Sequence, residues 1–538
     1  MIKSPTQKHS QGSQNALTPF IVYLLCCFAG SLPLRSFSSS SAARDLQQAV
    51  ALIKQGDLRA AETRLKQAET ESPNDAAIYR LLGVVYQREL KFSEAEIALE
   101  KAVTLSAQTD PQLLFLLCQT EFALKKQSEA LRLANQISEL AETNPIAHYS
   151  LGQLLVANGR PLEAIRELER AHTLAPGNPA ITTELIIAYW NARREQSAQN
   201  LMADFFKRAS WDDLVQAGAR FGDAGQFDAA KQAFKRALQA RPDAYDARFN
   251  LAFVYYRQGN LQEALATLDK IDPQAAQGQW DYYYLRGKID LALHQNQDAA
   301  AEMVKALQLQ PGNESLCSDA GLLFFQFENF WKALAVYQAC AAHLPDSAAI
   351  QTGLGLTYFR LGKYRDAMAT FHKVLQAKPD ADAAREALGF LLYIEGSLSE
   401  ARAILEARAG APDADYYLDY LNALVLLRLR PAGDHSDALH WLDETLRKNP
   451  HFAPAYFERA RIWTAQSKPE KALADLERAI ATDPHYAQPY YLIAQVDYKL
   501  GKKKEADEAR QRFNALNSER EEKEQERQVE NQLLQALR

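Results

Sequence analysis

The stretch AAIQTGLGLTYFRLGKYRDAMATFHKVLQAKPDA, residues 348–381, decides how the rest of the chain is read. Leu354, Gly355 and Tyr358 fall at i, i+1 and i+4, on one face of a first helix. Gly362 then stands where the chain must turn. Ala367, Phe371 and Leu375 follow at helical spacing on a second helix. The missing side chain of Gly355 lets the second helix come close to the first. Pro379 closes the unit, because proline cannot continue a helix. The stretch predicts a pair of helices packed through their apolar faces.

Working outward, the same pattern returns. Residues 211–244 carry Gly218, Phe221, Gly225, Phe227, Ala230, Phe234, Ala237 and Pro242. Residues 453–486 carry Tyr456, Ala460, Trp463, Ala472, Leu476, Ala479 and Pro484. The period is about 34 residues. Units start near Ala42, Ala76, Pro111, Pro145, Pro179, Trp211, Tyr245, Trp280, Glu314, Ala348, Asp382, Tyr416, Ala453 and Ala487. In period and residue pattern they resemble the tetratricopeptide repeat (TPR). The resemblance covers nearly everything from about residue 42 to 520. It implies an all-α fold, a helix-turn-helix solenoid coiled into a right-handed superhelix, and a protein-binding role.

Composition agrees with this reading. Of 538 residues, 47% are hydrophobic and 24% charged, ordinary values for a folded soluble chain. The length would suggest several globular domains, but repeats that pack only on their neighbours escape that expectation. Net charge is −6, with no basic surplus or stripe, so no nucleic-acid partner is expected. Beyond Cys26 and Cys27, the remaining Cys118, Cys317 and Cys340 are odd in number and unrelated in spacing. They are read as small packing residues, without a disulfide framework or zinc site.

The first residues form an address. Lys3 and Lys8 precede the apolar run from Phe20 to Gly30, a Ser-rich stretch follows, and no acid occurs before Asp45. This is the order of a secretory signal. Residues 1–42 are expected to be a signal peptide or short membrane anchor, giving an exported, periplasmic or extracellular protein or one tethered through that apolar segment. An N-terminal repeat array is expected over 43–178 and a main array over 211–518. Residues 179–210, where Arg193-Arg194-Glu195 replaces the turn glycine, are expected to be a degenerate repeat and seam. Residues 519–538 are expected to form a charged capping helix.

No HExxH, GxSxG or GxxxxGK[ST] occurs, so no catalytic residue, cofactor or metal is expected and the chain is read as a non-enzyme. In arrays resembling this one, the first helix of each unit lines a concave face. Counting positions 2, 5, 9 and 12 from the unit starts places Phe249, Phe253, Tyr256, Tyr284, Phe325, Phe359, Phe390 and Tyr393 there. Such a strip suits a partner peptide or helix. The Lys/Asn carboxylate clamp of tail-binding TPR domains is missing: the matching positions hold Arg80, Val84 and Leu116. A carbohydrate-binding or polysaccharide-export accessory array is the alternative, favoured where Tyr or Trp cluster with acidic or amide groups.

Overall fold

The structure, a computed structural model, describes residues 41–106, 110–431, 433 and 435–536. The expected signal or anchor, apart from its last two residues, lies outside the described residues. Among the described residues every regular element is an α-helix, and no helix is long and apolar enough to cross a membrane. The helices alternate in antiparallel pairs, such as Ala76–Arg88 with Phe92–Leu105, Trp211–Asp223 with Phe227–Ala240, and Ala348–Arg360 with Tyr364–Ala377. The expected helix-turn-helix solenoid is the fold.

The chain forms two compact units, Met1–His294 and Gln295–Arg538. Within each, the core is a chain of clusters strung along consecutive repeats and not one centre, as repeat packing requires. Many first helices start on a side-chain cap that satisfies their free N–H groups. Asn144 accepts from Ile146 and Ala147 N–H, with Pro145 opening the helix, and Asn178 and Pro179 repeat the device.

Inside a hairpin, one relation recurs. A Cβ added to Gly83, Gly152, Gly218, Gly355 or Gly389 would lie 2.5–2.8 Å from Leu99, Leu168, Phe234, Phe371 or Leu405 respectively, each sixteen positions on. The small residue on the first helix is therefore the seat of a large one on the second, and these large side chains are completely buried. The turn between the helices is left-handed whether or not glycine is present. Gly225 and Gly362 have φ of 76° and 71°, and Leu90, Arg193 and Ser467 take 60°, 60° and 57° at corresponding places.

One expectation about the cysteines changes. Cys317 and Cys340, read as separate packing thiols, form a disulfide between the helices Glu314–Gln326 and Phe330–His343, with Cα atoms 6.0 Å apart. The two positions face each other across a hairpin, a proximity that their spacing of 23 does not reveal. Cys118 is free and buried, and desolvation pushes its thiol up to about 12, so it keeps the packing role. The charged end from 519 to 536 is helical, as part of one helix that runs from Lys503 to Ala536.

Candidate functional site

In the N-terminal unit, the helix Tyr245–Arg257 carries three of the expected groove rings. Phe249 is not accessible. It is 3% exposed, stacks on Tyr245 at 5.7 Å, and joins Leu268, Ile271, Tyr282 and Leu285 in the core. The expectation fails for this ring because Tyr245, one turn earlier, covers it. Phe253 and Tyr256 are half-buried, 6.5 Å apart, and Arg257 lies 5.9 Å from the Phe253 ring. On the next first helix, Trp280–Ala292, the half-buried Tyr284 sits 6.1 Å from Trp280, with Lys288 over it at 5.4 Å.

In the C-terminal unit, Phe325, Phe359, Phe390 and Tyr393 are all half-buried. Phe359 and Phe390 come from consecutive first helices and meet edge to face at 6.2 Å, the favoured geometry of an aromatic pair. Phe325 pairs instead with Phe330, at 5.3 Å. Arginines complete the pattern. Arg360 lies 5.6 Å from Phe325 and 4.5 Å from Phe330. Arg428 lies 5.1 Å from Tyr393 and donates from Nη1 to the Tyr393 carbonyl at 2.6 Å. In both cases the last turn of one first helix lays its guanidinium over a ring of the repeat before it, a cation–π arrangement. Counting ring positions does not reveal these arginines, although Phe325–Arg360 and Tyr393–Arg428 have the same sequence separation.

Aromatic pairs continue in the units starting at Tyr416 and Ala453. Tyr420 meets Tyr417 at 5.7 Å and Phe452 at 4.9 Å, and Phe457 meets Tyr486 at 5.5 Å. Two carboxylates lie among these rings. Burial, followed by repulsion from Asp415 and Asp382, pushes the Glu386 carboxyl up to about 7. Burial raises Glu458 also, against the opposing pull of Arg461, whose Nη1 donates to Oε2 at 2.7 Å. The Tyr417 phenol is raised by burial and by the Glu386 charge, so the two groups share one environment. Tyr417 and Tyr420 occupy positions 2 and 5 of the unit starting at Tyr416. Counting from Tyr416 reaches both, although the expected strip stops at Tyr393.

A second feature lies in the N-terminal unit. A cleft of about 480 Å³ opens around Leu185, Tyr189, Leu201 and Asp204, with Tyr189 donating to Glu169 at 2.7 Å. It marks poor packing by the helix Glu195–Arg208, which buries only Ala198 and Phe206.

Comparison with known proteins places the chain. Tetratricopeptide-repeat family models match residues 46–111, 121–179, 223–289, 324–385, 358–419 and 427–487. The cellulose synthase operon protein C of Pseudomonas fluorescens (strain SBW25) is 26% identical over 243 residues, which is 42% of this chain and 19% of that protein. The chain thus spans under a fifth of that relative's length. Among solved structures, a tetratricopeptide repeat protein from Parabacteroides merdae ATCC 43184 is 19% identical, with 53% of this chain and 99% of that one covered and a TM-score of 0.32. The APC/C hetero-tetramer Cut9–Hcn1 is 12% identical, with coverages of 90% and 99% and a TM-score of 0.35. Family models thus recur along both units, over hairpins whose small first-helix residue seats a large second-helix one, and the chain belongs to the tetratricopeptide-repeat family.

Proposed function

We propose that this protein is a non-enzymatic scaffold working outside the cytoplasm, and that the C-terminal unit holds an acidic, apolar-bearing segment of a partner protein along its first-helix rings. A tetratricopeptide-repeat array is an interaction scaffold. The observation that carries the finer reading is a run of half-buried rings, with guanidinium groups over Phe325 and Tyr393 and the pair Phe359–Phe390 between them. These rings are only partly consumed by the core, and Arg360 is exposed beside them. Apolar side chains of the partner cover the rings while its carboxylates meet the arginines, the residue types favoured as interface anchors. In the N-terminal unit, Phe253, Tyr256 and Tyr284 offer a similar but smaller surface.

Two observations support the location: the signal-like order of residues 1–42 and the Cys317–Cys340 disulfide, a bond that persists in oxidising compartments. The test is cross-linked capture of partners from an extracytoplasmic fraction, using wild type, Phe359→Ala and Phe253→Ala, with thermal unfolding of each. Phe359→Ala is expected to weaken capture by about 2 kcal/mol while the melt stays intact. A large melting loss with unchanged capture assigns the rings to the core and rejects the groove.

A second reading has its own support. Tyr417, Tyr420, Phe452 and Tyr486 cluster with Glu386 and Glu458, a combination of ring faces and acceptor groups that suits a sugar. The one curated relative described above is named for a cellulose synthase operon. This reading predicts saturable heat on titration with cellohexaose, lost in Tyr420→Ala. No heat with the wild type would leave the protein-binding role alone.

A further inference from the structure

Three carboxylates converge between two repeats of the N-terminal unit. Glu96 and Glu100 stand one turn apart on the second helix Phe92–Leu105, and Glu121 comes from the following first helix, Pro111–Ala123. One oxygen from each lies within 4.8 Å of the other two. Glu121 differs in kind from its neighbours. It is 1% exposed, and its buried Oε2 makes no hydrogen bond. A buried carboxylate oxygen without a partner is costly, so such groups are normally paired or bound to a cation. The nearby ammonium of Lys126 pairs with Glu96, not with Glu121.

We propose that Glu96, Glu100 and Glu121 bind one calcium ion at the junction of consecutive repeats. The donor set is oxygen only, which selects a hard cation over zinc or copper. Calcium–oxygen distances of about 2.3–2.6 Å allow ligands up to roughly 5 Å apart around one ion. The observed spread therefore fits without moving a helix. Glu96 is half-buried and Glu100 exposed, so water reaches the remaining coordination positions. Glu121 supplies the desolvated ligand, and Lys126 is the resident competitor that the ion displaces from Glu96. The ion ties the second helix of one repeat to the first helix of the next, the interface on which a linear array depends.

The experiment is calorimetric titration of the chelator-treated full chain with calcium chloride alone, paired with thermal unfolding. One site per chain is expected, with Kd below about 1 mM, and a melt that rises with calcium. Glu121→Gln should melt no lower than wild type without calcium, since it removes a buried charge, and should lose the calcium response. If that variant does not fold, the pair Glu96→Gln with Glu100→Gln serves the same purpose from the solvent side. Lys126→Gln separates a ligand site from a merely structural cluster: removing the competing ammonium should tighten calcium binding about tenfold. The proposal is overturned if wild type shows no saturable heat up to about 10 mM calcium. It is equally overturned if binding survives the loss of Glu121, or if Lys126→Gln weakens binding.

Discussion

Two consecutive hairpins, Pro179–Arg208 and Trp211–Ala240, have similar first helices and very different second ones. Pro179–Asn191 buries Ile181, Leu185, Ile186, Ile187 and Ala188, much as Trp211–Asp223 buries Leu214, Val215, Ala217 and Phe221. The two first helices are well joined: Trp190 meets Phe221 edge-on at 5.3 Å, and Arg220 Nε donates to the buried Glu184 at 2.9 Å. The second helices then part company. Phe227–Ala240 buries Ala229, Ala230, Ala233, Phe234 and Ala237, whereas Glu195–Arg208 buries two residues. Gly218 seats the ring of Phe234. At the corresponding place of the weaker hairpin stands Ile186, large and fully buried, and sixteen positions on stands Met202, only half-buried. The missing turn glycine is not the defect, since Arg193 takes the left-handed turn without it. A repeat of this kind is weakened when a large residue fills the small seat on the first helix and the partner on the second is left half-buried.

The contrast is sharpest by truncation. Phe234→Ala should cost about 3–5 kcal/mol in urea denaturation, because it removes a fully buried ring and leaves a cavity. Met202→Ala, at the corresponding position, should cost about 1 kcal/mol, because that side chain is only half-buried. Equal costs at the two sites would break the comparison.

Local opening gives the next largest difference. Amide exchange in Glu195–Arg208 should report an opening free energy lower than that of Phe227–Ala240 by about 2 kcal/mol, since few buried side chains hold it down. Uniform protection across both helices would show that backbone hydrogen bonding and the first-helix contacts suffice.

Repair is the smallest effect. Asp204→Leu should stabilise the chain by about 1 kcal/mol by filling the cleft beside Leu185 and Leu201. A neutral or destabilising result would mean that the cleft does not accept a side chain from that helix.

The hairpins were legible in the sequence because their determinants are local. Gly355 and Phe371, or Gly218 and Phe234, stand at fixed separations on adjacent helices, so period and residue type suffice. The site was legible only in outline. Positional counting placed Phe253, Phe359 and Phe390 where rings are half-buried, but it could not see that Tyr245 closes over Phe249. Tyr417 and Tyr420 stand at positions 2 and 5 of their unit and were readable by the same count, though the expected strip stopped at Tyr393. Arg360 and Arg428 escaped because their role depends on reaching back to the previous repeat. The Cys317–Cys340 bond is likewise a property of facing helices, which spacing alone does not encode.

That bond has a mechanical meaning. A linear array pulled from its ends yields piece by piece, because each hairpin is held chiefly by its neighbours. Once the Glu314–His343 hairpin gives way, the chain between Cys317 and Cys340 stays looped, so extension under tension falls short by about 80 Å for this one unit. The loop also keeps the two helices together at a cost to the stretched chain's freedom of about 3 kcal/mol. Re-docking from the pulled state therefore starts at this hairpin, which makes it a knot of resistance in a molecule otherwise drawn out like a ribbon.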